Sequence, residues 1–178
     1  MKHGFRRTAV AAASVLALGV GAAAWAASSA SAASTGPAAI GKCAAGSLAV
    51  WVNVSSSDAT AGTNYFNLEF TNTGGRTCYL DGYPGVSATT LGGAQIGKAA
   101  TRDAEQPARV IDLAPGATAH SALGYHDIVI EPSCKEENAA FLKVFAPNNT
   151  GADQAFFPLT MCRTGQSDLS VMRVQPGV

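Results

Sequence analysis

The sequence predicts an all-β domain: an antiparallel immunoglobulin-like β-sandwich of eight or nine short strands, closed by two disulfides. Three observations carry that prediction. Apolar residues alternate strictly at Leu48, Val50, Val52 and Val54, and again at Phe66, Leu68 and Phe70, the two-residue period of a strand with one buried face. Turn-forming Gly, Pro, Asn and Asp recur at short intervals between such runs. Nowhere do apolar residues hold a helical period for three turns. The Cys, Trp, Cys core of antibody domains is absent, so the likeness to an immunoglobulin domain is architectural.

The chain opens with a basic segment, Lys2, His3, Arg6 and Arg7, followed by an uncharged Ala-, Val- and Leu-rich run from Thr8 to Ala24. Small-residue sites follow at Ala24-Trp25-Ala26 and, better separated from the apolar run, at Ala30-Ser31-Ala32. This is the three-part layout of a secretory signal peptide, read here as residues 1–32. A transmembrane anchor is the competing reading, but Ala and Gly make the run weakly apolar. Thr8-Ala9-Val10 continues the Arg6-Arg7 pair poorly for twin-arginine export, so general secretion is preferred. Lys42 stands where a lipid-attachment motif at Cys43 needs a small residue, which argues against a lipid anchor.

Without residues 1–32, the 12 basic groups fall by Lys2, Arg6 and Arg7 to nine, against 12 acidic groups. The mature chain is therefore mildly acidic, which disfavours a nucleic-acid or anionic-membrane partner. Residues 33–42 are small, polar and Pro-containing and read as a flexible lead-in, leaving 43–178 as a single domain. Export also favours disulfides among the four cysteines.

Strands are expected at Leu48–Val54 and Tyr65–Asn72, with Ser55–Asn64 as a polar loop between them. Others follow at Val86–Leu91, Gln95–Ala100, Val110–Leu113, Thr118–Tyr125, Ala140–Ala146, Ala155–Met161 and Leu169–Val174. If the first two form a hairpin with matched inner faces, Val50 lies opposite Phe70 and Val52 opposite Leu68. Extending that register brings Cys43 to within one position of Cys78. Cys134 and Cys162 bracket the next-to-last pair of strands in the same way. Of the three connectivities open to four cysteines, Cys43–Cys78 and Cys134–Cys162 are preferred. No Cys-x-x-Cys pair supports a metal site.

Three stretches carry a family resemblance: Leu68-Glu69-Phe70-Thr71-Asn72-Thr73-Gly74, Cys78-Tyr79-Leu80-Asp81-Gly82-Tyr83-Pro84-Gly85-Val86, and Leu113-Ala114-Pro115-Gly116. They resemble an actinobacterial family of secreted domains of unknown function, DUF4232, across nearly the whole mature chain. The Cys78–Val86 stretch is the most specific part. The resemblance implies export and this fold, and it supplies no activity and no catalytic residues. Many relatives resemble lipoproteins, and this sequence departs from them in lacking the lipid-attachment motif.

Chemistry is sparsely signalled. Asn72-Thr73-Gly74-Gly75 suits a tight strand exit through residues that tolerate the left-handed region. Asp81 to Gly85 is a compound turn that either presents Tyr79 and Tyr83 for recognition or packs them as a disulfide-tethered corner. His120 and His126 on one strand stand about 20 Å apart at the usual rise per residue, too far to share a metal. His126 and Asp127 are adjacent and point to opposite faces of a regular strand. No Gly-x-Ser-x-Gly or His-Glu-x-x-His motif occurs. Glu131, Glu136 and Glu137 around Cys134 read as a solvated loop rather than a glycosidase pair.

Trp51 stands out. With Val50 and Val52 inward, it points outward with Ala49 and Asn53, facing Glu69, either as a stacking platform or beneath a covering loop. The sequence thus points to a secreted, non-catalytic binding or cell-envelope-associated module, a monomer with no cofactor, metal or stable membrane anchor. Its candidate binding residues are Trp51, Tyr79 and Tyr83, and its partner a cell-wall glycan or a secreted protein. The alternatives are a secreted hydrolase using His120 or His126, and an inhibitor of an exported hydrolase.

Overall fold

A computed structural model describes residues 39–126 and 133–177. The signal segment, most of the lead-in, Asp127 and Glu131 lie outside the described residues. Twelve strands appear among the described residues. The first half contains β1 (Gly41–Lys42), β2 (Leu48–Thr60), β3 (Thr63–Asn72), β4 (Cys78–Asp81), β5 (Gly85–Thr89) and β6 (Thr101–Arg102). The second contains β7 (Val110–Leu113), β8 (Thr118–His126), β9 (Glu136–Phe145), β10 (Ala152–Cys162), β11 (Leu169–Val171) and β12 (Gln175–Pro176). A single 3₁₀ turn, Ala45–Ser47, leads into β2.

The strands form three sheets. The largest runs β2-β3-β8-β11-β6, with β12 also paired to β8; the others run β10-β9-β5 and β1-β4-β7. Pairing is antiparallel except at two edges, where β1 lies parallel to β4 and β6 parallel to β11. The inward residues of all three sheets meet in one apolar cluster. Leu48, Val52, Leu68, Phe70, Leu123 and Val171 come from the large sheet, Val86, Leu142, Val144 and Met161 from the second, and Leu80, Ile111 and Leu113 from the third. Phe66 on β3 meets Phe157 on β10 edge-to-face at 5.1 Å, a favoured aromatic geometry that joins the first two sheets.

The β2–β3 register is the one the alternation implies: Val50 pairs with Phe70, Trp51 with Glu69 and Val52 with Leu68. The hairpin is longer than its apolar pattern. Ser55–Thr60 continues β2 instead of forming a loop, and the chain reverses at Ala61 and Gly62, with φ of +44° and +80°. Two successive positive φ values match the right-handed twist of a two-residue hairpin. Beyond Asn53 the strand carries a register shift and is mostly exposed, so its polar residues give no periodic signal. Val54, expected inside, is 62% exposed for the same reason.

The count of eight or nine strands is thus corrected to twelve. Three of the additions, β1, β6 and β12, are two residues long and too short to show any alternation. The fourth, β4, is the Cys78–Asp81 stretch that read as part of a corner. One expected strand is not regular. Residues 95–100 run along the free edge of β5, where Ile96 N–H donates to Ala88 O and Ala100 N–H to Val86 O at 2.9 and 2.8 Å. Gly97, at φ +61° and pressed against the Cys162 carbonyl, breaks that ladder.

Both expected disulfides are present, Cys43–Cys78 and Cys134–Cys162, with Cα separations of 4.8 and 5.1 Å. The first is reached by an unexpected route. Gly41 and Lys42, the end of the segment read as a lead-in, pair parallel with Cys78 and Tyr79, and that ladder delivers Cys43 to its partner.

Candidate functional site

The large sheet has two unlike faces. Its inner face is apolar, whereas its outer face is a grid of polar and aromatic residues set by register. In the central row, Trp51 on β2 faces Glu69 on β3, Glu69 faces His120 on β8, and His120 faces Gln175 on β12. One row on, Ala49, Thr71 and Thr118 align, and the two threonine hydroxyls are 2.9 Å apart. On the other side come Asn53, Asn67 and Ala122, then Asp58, Tyr65, Gly124 and Ser170. At the hairpin tip Thr63 Oγ1 lies 2.8 Å from His126 Nδ1.

Residues two apart on a strand share a face, so the outward placement of Trp51 follows from the burial of its neighbours. Trp51 is 46% exposed. Tyr65 lies across Gly124, its ring 3.1 Å from where a Cβ would stand. Glu69 is only 8% exposed, yet its carboxylate makes no hydrogen bond or ion pair with any described residue. The alternation placed Trp51 opposite Glu69. It did not place His120 there, because the β3–β8 pairing joins residues about fifty positions apart and no local pattern reports it.

Tyr79 and Tyr83 are not brought to this face. Tyr79 sits on β4, in the small sheet, between Lys42 and Asp112. Tyr83 donates its hydroxyl to the Gln106 carbonyl at 2.5 Å, and the Gln106 side chain in turn accepts from Arg173 Nε and Nη2 at 3.0 and 2.5 Å. The turn is therefore stitched to the segment before β7 and to the one before β12. Gly82 within it takes the left-handed region at φ +102°.

Asn72-Thr73-Gly74-Gly75 works differently from its sequence reading. None of these residues has positive φ. Asn72 instead acts through its side chain, almost fully buried: Nδ2 donates to the Arg76 and Leu113 carbonyls, each at 2.9 Å, and Oδ1 accepts from Gly74 N–H at 2.9 Å. A depression of about 910 Å³ lies beside this turn and is bordered by Lys42, Asn72 and Arg76. Its most buried polar side chain, Asn72, is already satisfied by the backbone.

The remaining candidates are dispersed. His120 and His126 both lie on β8, and no group of three or more metal-ligating side chains occurs among the described residues. Glu137 accepts from Arg163 Nε at 3.3 Å, an exposed ion pair at the start of β9. No helix among the described residues is long and apolar enough to cross a membrane.

No curated protein and no solved structure matches the chain. The model of one family does, that described as Domain of unknown function (DUF4232), over residues 43–177, from the first cysteine to the end of the described chain. The chain belongs to the DUF4232 family.

Proposed function

We propose that this protein is an exported, non-catalytic binding module of the cell envelope, whose ligand surface is the outer face of the large sheet around Trp51. The observation that carries the reading is the placement of Trp51: a 46% exposed indole on a sheet face that also holds Glu69, Thr71, Asn67 and His120. A large, rigid aromatic surface left open to water is the usual anchor for a flat ring or a partner side chain. The signal-like amino terminus and the two disulfides support export, and the actinobacterial, envelope setting is part of the proposal. The proposed architecture is an immunoglobulin-like sandwich, in which the β10-β9-β5 sheet covers the inner face of the large one.

The test is co-sedimentation of the oxidised mature protein with purified cell wall from the producing organism, alongside Trp51→Ala. Because Trp51 is exposed, its truncation is expected to change stability by less than about 1 kcal/mol. The parent protein is expected to pellet with the wall, and the variant to remain in the supernatant. Recovery of both in the supernatant removes wall binding.

A further inference from the structure

Glu69 lies in the middle of three hydrogen-bonded strands, with Trp51 directly opposite on one side and His120 on the other. It is more than nine-tenths buried and has no hydrogen-bond or ion-pair partner among the described residues. Its carboxylate oxygens are not sealed, the sealed and unpartnered side-chain oxygen among the described residues being on Asp153, so the acid is open to a ligand that brings a matching positive donor. Of the side chains aligned with it, His120 is the basic one, and no hydrogen bond joins the two. The register positions of this face on β2, β3, β8 and β12 hold Asp58 and Glu69 as charged residues, and no lysine or arginine. An anionic polymer would meet these two acids with no lysine or arginine to offset them, so the face favours the opposite sign.

The neighbouring residue narrows the choice further. An exposed indole stacks on the apolar side of a flat ring and also attracts a cation through its ring quadrupole. A ring that carries an ammonium group uses Trp51 and Glu69 together.

We propose that the Trp51–Glu69–His120 row binds a sugar ring bearing a free ammonium group, that is, a de-N-acetylated amino sugar. The inference rests on the binding-module reading above and names its ligand class. The ring lies on Trp51, and the ammonium donates to the Glu69 carboxylate, a charge-assisted pair stronger than one with a neutral donor. N-acetylation removes the charge and bulks the nitrogen, so the acetylated sugar keeps the stacking and loses the ion pair.

Calorimetric titration of the oxidised mature protein with a glucosamine tetramer, and separately with its fully N-acetylated counterpart, tests this, in a buffer where the free amine is charged. The free amine form is expected to bind about tenfold tighter or more, a difference of about 1.4 kcal/mol. Glu69→Gln, which keeps the shape, is expected to remove the preference, and Trp51→Ala to weaken both ligands. The preference in the parent protein stands as a test by itself should Glu69→Gln fail to fold. Equal binding of the two oligomers, lost on Trp51→Ala, overturns the ammonium inference and leaves a glycan-binding face standing. Binding of neither, with wall pelleting that still depends on Trp51, overturns the amino-sugar assignment alone. Binding of neither, with no pelleting, removes both.

Discussion

Asp153 faces the interior from β10, on the same side of the strand as Ala155 and Phe157, and one of its carboxyl oxygens is sealed without a hydrogen-bond partner. Burial pushes its carboxyl above the ordinary value of 3.8. An acid whose folded pKa is raised penalises the folded state once it ionises. Stability attributable to this group is therefore highest at low pH and falls as pH rises from the unfolded carboxylate value through the raised native one. Asp153→Asn removes the penalty. The variant is expected to melt about 3 °C higher at neutral pH, with the gap closing as the buffer is acidified through that window. Equal melting temperatures at neutral pH contradict the assignment. Asn72 shows the opposite situation, a more deeply buried polar side chain whose amide nitrogen and oxygen are both hydrogen-bonded. Its role was illegible in the sequence, because an Asn before two glycines reads as a backbone signal while its work is done by a side chain reaching β7.

At the scale of elements, the hairpin of β2 and β3 was legible wherever one face is buried. Alternation over Leu48–Val52 and Phe66–Phe70 fixes which residues face each other, because a one-residue slip would expose every apolar side chain. The signal ends where burial ends, so the polar extension to Thr60 read as a loop. Its turn holds a testable irregularity: Ala61 adopts φ +44°, a region that costs an L-residue with a Cβ. Asn before Gly is the preferred pair for such a turn. Ala61→Asn is expected to stabilise the domain by about 0.5 kcal/mol, read as a higher denaturation midpoint with an unchanged slope. A lower midpoint would show that the turn is not of this type. The short strands β1, β6 and β12 could not be read from sequence, because two residues have no period and their pairing depends on neighbours far along the chain.

For the whole molecule, the two disulfides hold opposite parts of the framework. Cys43–Cys78 ties β1 to β4 across 35 residues, and Cys134–Cys162 ties the chain before β9 to the end of β10 across 28. Loops of that length are each worth about 3–4 kcal/mol in restricting the unfolded chain. Replacing Cys43 and Cys78 together by alanine is expected to lower the melting temperature by about 10 °C. An unchanged melting temperature would mean that β1 docks on β4 without the link. The pairing itself was legible from register, although the parallel β1–β4 ladder that achieves it was not. The candidate site was half legible. Trp51 and Glu69 follow from one hairpin, whereas His120 joins them only when β8 docks on β3, a contact between distant segments.

The central claim is that ligand is held on the outer face of the large sheet and not at the Tyr79–Tyr83 turn. Its most direct test is an amide and indole chemical-shift titration of the isotope-labelled mature protein with solubilised cell-wall glycan. The account predicts shifts at the Trp51 indole and at the amides of Glu69, Thr71, Asn67 and His120, with Tyr79 to Gly85 unmoved. Shifts confined to Tyr79–Gly85, with the Trp51 indole unchanged, would contradict it and place recognition on the Cys78–Val86 motif instead.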